Sequence, residues 1–338
     1  MLKVTVHFNS TLPHFSQVFA GLEFLGTRKN ISLAYHLDPG KYPVNILKLE
    51  INGKTVFFDL ADNNRIDLSL YNECDFYVKR MLLKKDREQL ERLIPYGLYY
   101  PVFFSNRNLK FLFLEDPSYW RYSLKYFPFL SRSLNLKDSI ATNHLRRMHS
   151  EPADRKKVIF RSRLWDAGER HPEWKRDKRK LLNEERVKMN KILAKQLGSD
   201  FIGGIRRDSF SEKICSDLLL DENEFHRKNY LEVLRGCSIG ITSPGLEESV
   251  GAKFGEYMAF GLAVVTNPVD VYEFLGPLEN ERHYLDYETP EECLEKTLLL
   301  YSNDSLRAKM QQENTAYYKE WLHPGLKLQK IIELIQTK

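Results

Sequence analysis

The sequence predicts an α/β fold made of two Rossmann-like domains. Two stretches support this prediction, because each passes from a strand through a helix to another strand. The first opens the chain, with an alternating strand over 2–8, an amphipathic helix over 15–25 and a strand over 31–35. The second covers 238–266. A length of 338 residues suits two domains of ordinary size.

The first half of the chain also contains a hairpin signal. β-Rich runs over 44–49 and 55–60 flank the dipeptide Asn52-Gly53, which favours a tight hairpin turn. Asp59 lies at the end of the second run, and ligands bind beyond strand ends in parallel sheets. Asp59 is therefore a candidate for chemistry, although such a carboxylate also commonly caps a turn.

Three further candidates in this half are basic residues. His14 follows the loop after the first strand. It is either a group that faces a substrate or a solvated histidine at a helix start. Lys79 and Arg80 end a strand predicted over 74–78, where they could contact a phosphate or an acidic acceptor, or be solvated.

The second half opens with a strand over 156–160, followed by Arg161 and Arg163. An arginine can hold phosphate oxygens with two parallel hydrogen bonds. Between 151 and 191 there are fourteen Lys or Arg against eight Asp or Glu, and a long charged helix is predicted over 173–197. Its basic side is either a solvated face or a contact for a membrane surface or an acidic acceptor. Further helices are predicted over 120–134, 222–235, 289–301, 306–321 and 326–335.

The stretch at 238–266 has the strongest pattern. An apolar strand over 238–242 is broken by a Ser-Pro-Gly turn that ends at Gly245. A helix follows with Ser249 as its predicted N-cap, Gly261 ends it, and a buried strand follows over 262–265.

Two carboxylates and three small residues mark this helix. Seven residues separate Glu248 from Glu256, so both can face one ligand if Glu248 lies on the incoming loop. Gly251, Ala252 and Gly255 keep the start of the helix slim. A slim helix N-terminus can bind a phosphate through its free N–H groups and its dipole. The alternative is a plain βαβ unit with two solvated glutamates.

This whole run resembles the donor-site segment of the GT-B glycosyltransferases, whose retaining members carry two glutamates at this spacing before a small-residue stretch and a strand. The resemblance covers about 156–301 and is weaker in the first half. There, the basic pair after the strand at 74–78 loosely resembles a run in bacterial exostosin-like glycosyltransferases. The resemblance implies two domains that face each other across a cleft, at 1–150 and 151–320. A terminal helix over 321–338 would return to the first domain.

The resemblance also implies roles for single residues. Glu248 would meet the donor sugar and Glu256 the ribose of the nucleotide. A basic residue after the first strand of the second domain would hold the diphosphate. The usual glycine before that residue and the lysine shortly after it are missing here, so the choice between Arg161 and Arg163 stays open. Further donor contacts are expected from Gly245, Ser249 and Lys253.

The expected function is therefore transfer of a sugar, such as a hexose, from a nucleotide-sugar to a glycan, lipid-linked or other hydroxyl acceptor. The expected donor is a UDP- or GDP-sugar, and the configuration of the sugar is expected to be retained. His14 and Asp59 would lie on the acceptor side. No Asp-x-Asp occurs in the chain, so we expect no metal and no further cofactor.

Composition agrees with a folded protein. Hydrophobic residues make up 42% and charged residues 29%, and the net charge is +5. Four scattered cysteines argue against a zinc site and favour a reducing compartment. With no signal peptide and no apolar run long enough to span a bilayer, we expect a cytoplasmic protein, with peripheral membrane contact as an option.

Two other classes of function fit the same sequence. One is a hydrolase, epimerase or phosphorylase on the GT-B fold, because a fold does not fix a function. The other is a carbohydrate- or nucleic-acid-binding protein without enzymatic activity, which the basic excess would favour. Donor consumption without an acceptor would indicate the first, and salt-dependent DNA binding without nucleotide-sugar binding the second.

Overall fold

A computed structural model describes residues 1–9, 13–38, 40–105, 143–169, 171–246 and 249–337. In chain order, the first half holds β1 Leu2–Phe8, α1 Ser16–Thr27, β2 Ile31–Leu37, β3 Ile46–Ile51, β4 Lys54–Asp59, α2 Leu68–Asn72, β5 Phe76–Lys79, α3 Lys84–Gln89 and β6 Leu93–Pro95. The second half holds β7 Val158–Ser162, α4 Glu173–Leu197, β8 Phe201–Arg206, α5 Ser211–Ile214, β9 Leu219–Leu220, α6 Glu222–Phe225, α7 Arg227–Arg235, β10 Ile239–Ile241, α8 Ala252–Ala259, β11 Ala263–Thr266, β12 Tyr284–Asp286, α9 Pro290–Ser302, α10 Asp304–Tyr317 and α11 Pro324–Thr337.

The chain divides into two compact units. The first unit comprises Met1–His149, Val271–Pro277 and Tyr317–Lys338, and the second comprises Ser150–Asp270 and Leu278–Ala316. Each unit contains one six-stranded sheet. The prediction of an α/β fold with two Rossmann-like parts is therefore confirmed at the level of the separate units.

The sheet of the first unit has the strand order β2-β1-β3-β4-β5-β6. All neighbours are parallel except β3, which runs antiparallel to both β1 and β4. The predicted hairpin joins β3 to β4. Asn52 has a φ of 51° and Gly53 a φ of 88°, and two positive φ angles are what a type I′ hairpin turn requires.

The sheet of the second unit is parallel throughout, in the order β12-β11-β10-β7-β8-β9. Counted within the unit, this is the order 3-2-1-4-5-6 of a Rossmann fold, and its switch point lies between β7 and β10. At Gly240 of β10, a Cβ atom would lie 2.4 Å from the ring of Tyr257. The absence of a side chain there lets α8 pack directly on the strand.

Three local predictions need correction. The helix predicted from Ser249 begins only at Ala252, with Gly251 as its N-cap and no side-chain cap. Since the Ser249 hydroxyl donates to the carbonyl of Leu246 at 3.0 Å, it caps nothing. The helix predicted over 222–235 is two helices, because His226 between them has an extended ψ of 127°.

The third correction concerns the strand predicted over 156–160, since β7 begins at Val158 and runs on through Arg161. The helix predicted over 120–134 lies outside the described residues. Across the described ranges, none of the helices has the length and apolar character needed to cross a membrane.

The terminal helix α11 packs on α1 within the first unit. The Gln17 side chain donates to the carbonyl of Leu322 at 3.0 Å, and buried Lys327 donates to the carbonyl of Leu98. The two helices approach closely at Gly21, where a Cβ atom would lie 2.6 Å from the carbonyl oxygen of Pro324. This contact sets the distance between the helices.

We therefore expect Gly21→Ala to lower the free energy of unfolding by about 1–3 kcal/mol, because backbone must move to admit the methyl group. Urea unfolding measures this change. Gly236→Ala is the matched control, because its added Cβ would come no closer than 3.4 Å to another atom and its φ is −90°. Equal effects of the two substitutions would contradict the close contact at Gly21.

Candidate functional site

A cavity of about 340 Å³ lies in the second unit beyond the carboxyl ends of β7, β8 and β10. This is the edge of the sheet, at the switch point, where open parallel sheets bind ligands. The cavity also borders the start of α8. The lining residues are Phe160, Arg161, Ser162, Arg163, Trp165, Arg186, Arg206, Phe225, Ile241, Thr242, Ser243, Gly245, Gly251, Ala252 and Lys253.

The lining is strongly cationic. It includes four arginines and one lysine, and no carboxylate occurs among the lining residues that the structure describes. Like charges that converge in a partly buried site are costly. The arrangement therefore suits an anionic ligand, and the N-terminus of α8 adds positive potential on the same side.

Three of the lining residues have a buried polar atom without a hydrogen-bond partner among the described residues. These atoms are the Nε of Arg161, the Oγ of Ser162 and the indole Nε1 of Trp165. Buried polar atoms in folded proteins are nearly always paired with protein or water. Three orphaned atoms on neighbouring residues of one cavity indicate a place where a polar ligand or water completes the bonding.

Arg161 and Arg163, the two predicted phosphate contacts, both line the cavity. Arg161 is buried at the end of β7, and its Nη atoms donate to the backbone and side chain of Glu224 at 2.5 and 3.2 Å. This pairing fixes the guanidinium and leaves its Nε unpartnered. Arg163 instead stacks over the ring of Trp165, with its Cζ 3.6 Å from the ring centroid.

Arg186, which the sequence analysis did not select, connects the two loops of the site. From the middle of α4 it donates to the carbonyl of Arg163 at 2.7 Å, to the hydroxyl of Ser243 at 3.0 Å and to the carbonyl of Pro244 at 2.7 Å. Burial lowers the pKa of its guanidinium to about 10, so it stays charged at neutral pH. Arg186 falls between Leu182 and Met189 on the buried stripe of the helix, and a charge on an apolar stripe is the sequence signal that could have revealed it.

Lys253, in the first turn of α8, donates to the carbonyl of Arg161. Burial lowers the pKa of its ammonium group to about 7. The carboxylate of Glu256 raises this pKa, and the guanidinium groups of Arg186, Arg161 and Arg227 lower it further. Lys253 is therefore close to its titration point at neutral pH, and an anion beside it would favour its protonated form.

Gly245 and Ser249 close the turn that borders the cavity. The Gly245 amide donates to the carbonyl of Ser249 at 2.8 Å. A Cβ atom on Gly245 would lie 2.3 Å from the Ser249 hydroxyl and 3.1 Å from the Ser249 carbonyl oxygen, so a larger residue here would require the Ser249 side chain to move. Gly245 lines the cavity, whereas Ser249 is buried behind it and supports the turn.

Glu256 lies away from the cavity lining, on the next turn of α8. Only 3% of its surface is exposed. It accepts a hydrogen bond from Arg227, with which it forms an ion pair, and another from the Tyr230 hydroxyl at 3.0 Å. Its carboxylate is thus engaged by α7, which sequence spacing did not predict. The other glutamate of the pair, Glu248, lies outside the described residues.

The predicted acceptor-side residues belong to the first unit. His14 lies in a short 3-10 helix, with its Nδ1 2.9 Å from the Leu60 carbonyl and its Nε2 3.6 Å from a carboxylate oxygen of Asp62. Burial lowers the pKa of the imidazole, and the nearby Arg80 guanidinium lowers it further. A hydrogen bond to a carbonyl requires the proton on Nδ1. In the neutral ring, Nε2 can therefore accept a proton.

Asp59 is a structural residue in this arrangement. Only 2% of it is exposed, at the end of β4. One carboxylate oxygen accepts from Lys79 and Tyr77, each at 2.8 Å, and the other accepts from the side chain of Asn45 at 3.1 Å and the amide of Ala61 at 3.0 Å. Both oxygens are used internally. The ammonium group of Lys79 is likewise engaged, because it forms a buried ion pair with Asp59.

The chain matches no protein-family model and no curated protein sequence. It is similar to solved glycosyltransferase structures. One from Rickettsia africae ESF-5 is 12% identical with a TM-score of 0.43, over 98% of this chain and 83% of that one. The pneumococcal O-GlcNAc transferase GtfA, in complex with UDP and GlcNAc, is 13% identical with a TM-score of 0.41, over 93% of this chain and 54% of that one.

A third similar structure is the C-terminal domain of LpcC, a glycosyl transferase group 1 family protein from Francisella tularensis. It is 12% identical with a TM-score of 0.34, over 50% of this chain and 86% of that one. The chain spans about half the length of GtfA and of TarM from S. aureus. Similarity this remote carries no information about the donor, the acceptor or the reaction.

The engaged carboxylate of Glu256 leads to a prediction about stability. Glu256→Gln removes the charge that faces Arg227, and we expect it to lower the free energy of unfolding by about 1.5–3 kcal/mol, the range for hydrogen bonds to charged groups. Urea unfolding measures the loss. Glu232→Gln on the exposed side of α7 is the control, and it should change stability little. If both variants unfold like the wild type, the ion pair contributes nothing to the fold.

Proposed function

We propose that the chain is a glycosyltransferase of the GT-B type, which moves a sugar from a nucleotide-sugar to a hydroxyl acceptor. The observation that supports this most directly is the cationic cavity at the switch point of the second unit, with its three orphaned polar atoms. A nucleotide-sugar matches such a cavity, because its diphosphate is anionic and its base and sugar offer flat and polar surfaces.

The cavity offers positive charge, which stabilises a nucleoside diphosphate as it departs. Negative charge grows on the leaving diphosphate as the bond to the sugar breaks. Arg161 and Arg163 lie at the end of β7, Lys253 lies at the start of α8, and the helix dipole points to the same place. Arg186 holds the surrounding loops in position, so little reorganisation is needed when the charge develops.

The other parts of the donor are assigned by residue type. Trp165 and Phe225 place aromatic rings in the cavity that suit stacking on a base or a sugar. Glu248 is proposed to meet the donor sugar. For Glu256 to meet the ribose, its carboxylate would have to share or exchange its contacts with Arg227 and Tyr230. Retention of configuration and a UDP- or GDP-linked hexose remain part of the proposal.

On the acceptor side we propose His14 as the group that accepts a hydrogen bond from the attacking hydroxyl and orients it. With retention, that hydroxyl attacks from the side of the departing diphosphate, and its proton passes to a diphosphate oxygen. The lowered pKa of His14 and the proton on Nδ1 leave Nε2 unprotonated near neutral pH, so that it can accept this hydrogen bond. The acceptor is proposed to be a glycan or a lipid-linked hydroxyl, and the site of action the cytoplasm or the inner face of its membrane. Asp59 is left out of the proposed mechanism, because both its carboxylate oxygens are engaged within the fold.

The first test is a thermal-shift screen with UDP-, GDP-, ADP- and CMP-sugars, followed by calorimetry on the nucleotide-sugar that stabilises the protein most. Arg161→Ala combined with Arg163→Ala should weaken binding of that donor about 10- to 150-fold, the equivalent of about 1.5–3 kcal/mol. Arg206→Ala, an exposed arginine at the rim, is the control and should have a smaller effect. Normal donor binding by the double variant would place the phosphate site elsewhere.

Donor binding and transfer can also be measured with and without a divalent metal ion. The basic side chains of the cavity can supply the positive charge that a divalent ion supplies in other transferases. We therefore propose that donor binding and sugar transfer persist in excess EDTA. Activity that EDTA abolishes and magnesium or manganese restores would refute metal independence without refuting the donor site.

The pKa of Lys253 predicts that donor binding takes up a proton. A UDP-sugar carries no group of its own that titrates near neutral pH, so uptake would report on the protein. With an unliganded pKa of about 7, Lys253 is mostly neutral at about pH 8, and the bound diphosphate should restore its proton. Affinity should then fall as the pH rises above about 7, by up to about tenfold per pH unit.

Calorimetry in buffers with different ionisation enthalpies measures this uptake directly. The Lys253→Met variant should bind the donor more weakly and take up far fewer protons on binding. The Lys309→Met variant, altered on the exposed surface of α10, should behave like the wild type. Proton uptake that survives in Lys253→Met would assign the titration to another group.

A further inference from the structure

A second depression lies on the surface of the second unit, on the other side of the turn at 244–246. It has a volume of about 180 Å³ and is bounded by the first turns of α4 and by Pro244 and Leu246. It shares Gly245 with the cationic cavity. The proposed donor site does not use this depression, and its lining is different in character.

The helix presents two large apolar side chains to solvent here. Trp174 is 53% exposed and Leu181 is 58% exposed. Since these positions are seven apart, they lie on one side of the helix, and Lys178 falls between them on the same stripe. The neighbouring Leu182 is buried and anchors α4 to the unit. The exposed pair is therefore not part of the core.

Basic side chains surround this pair. Residues 173–182 include five Lys or Arg against two Asp or Glu. Trp174 and Leu181 lie within this cationic segment, and Lys175, Lys178 and Arg179 also line the depression. A tryptophan and a leucine flanked by long basic side chains are typical of helices that lie in the interface of a bilayer.

We propose that this face of α4, together with the turn at 244–246, docks on an anionic phospholipid surface. The chemistry favours a bilayer over a protein partner. Two exposed apolar side chains cover much less than the roughly 1,000 Å² that a specific protein interface needs. They suffice when several flexible cations add attraction to anionic headgroups. Because the turn at 244–246 also borders the cationic cavity, docking would hold that cavity close to the membrane surface.

The test is flotation of the full chain with vesicles of phosphatidylcholine alone and with added phosphatidylglycerol. We expect binding only to the anionic vesicles, and release at high salt, because screening shortens the reach of surface charges. Trp174→Ala and Leu181→Ala should each weaken binding several-fold, and Lys178→Gln should weaken it and reduce the salt dependence. Tryptophan emission should shift to shorter wavelength on binding, and this shift should be lost in Trp174→Phe.

Matched controls distinguish binding through this face of α4 from non-specific binding of exposed apolar or basic residues to vesicles. Leu299→Ala removes another exposed leucine, which is 43% exposed on α9, and Lys309→Gln removes an exposed charge on α10. Both should bind vesicles like the wild type. The affinity for nucleotide-sugar should not change in any of these variants, so a failure of the proposed function leaves this test intact.

Three results would overturn the proposal. Equal binding to neutral and anionic vesicles would remove the role of the cations. Unchanged binding of Trp174→Ala and Leu181→Ala would remove the role of the apolar pair. A third is concentration-dependent dimerisation, lost in Trp174→Ala, in a protein that binds no vesicles. That result would make this face a contact between two copies of the chain.

Discussion

The guanidinium of Arg186 is the interaction on which the geometry of the cavity depends. It is buried on α4 and donates to the loop after β7 and to the turn after β10, the two segments that flank the switch point of the sheet. A guanidinium can do this because its donors lie in one plane and point in fixed directions. Its burial costs free energy, and three bonds to oxygen atoms offset part of that cost. The loops are thereby held apart at the distance that leaves the cavity open.

The cavity that Arg186 holds in shape has a cationic lining. Arg161 is oriented by Glu224, and Arg163 by the ring of Trp165. Both pairings fix a cation without placing a carboxylate in the cavity lining described here. The pKa of Lys253 falls to about 7 mainly because the ammonium group is buried, and the guanidinium groups of Arg186, Arg161 and Arg227 lower it further. An anion bound beside these cations would offset their mutual repulsion and favour the protonated form of Lys253.

The first unit shows the opposite use of buried charge. Asp59 and Lys79 neutralise each other at the ends of adjacent strands, and Tyr77 and Asn45 complete the hydrogen bonds of the carboxylate. The charges of Asp59 and Lys79 are therefore paired within the fold. His14 differs, because its ring keeps one nitrogen directed toward the Asp62 carboxylate. Asp59 and His14 are both largely buried, and they differ in the number of hydrogen bonds they make.

The sequence by itself determined the fold class, the hairpin at Asn52-Gly53 and the position of the helix α4, because these depend on local periodicity and turn chemistry. Arg161 and Arg163 follow a predicted strand, and the resemblance to a glycosyltransferase donor segment implied Gly245 and Lys253; all four line the cavity. These positions follow from the order of elements along the chain.

Only the tertiary structure decided which charged side chains pair with each other. The partner of Asp59 lies twenty residues away and that of Glu256 twenty-nine, on different elements whose packing no local pattern encodes. Arg186 looked like one charge among many on a solvated helix, and its role follows from the loops that fold against it. Helix α8 begins at Ala252 and not at the predicted Ser249. The carbonyl and hydroxyl of Ser249 instead form hydrogen bonds with Gly245 and Leu246 in the preceding turn. Long-range contacts of this kind are the part of a site that spacing along the sequence cannot fix.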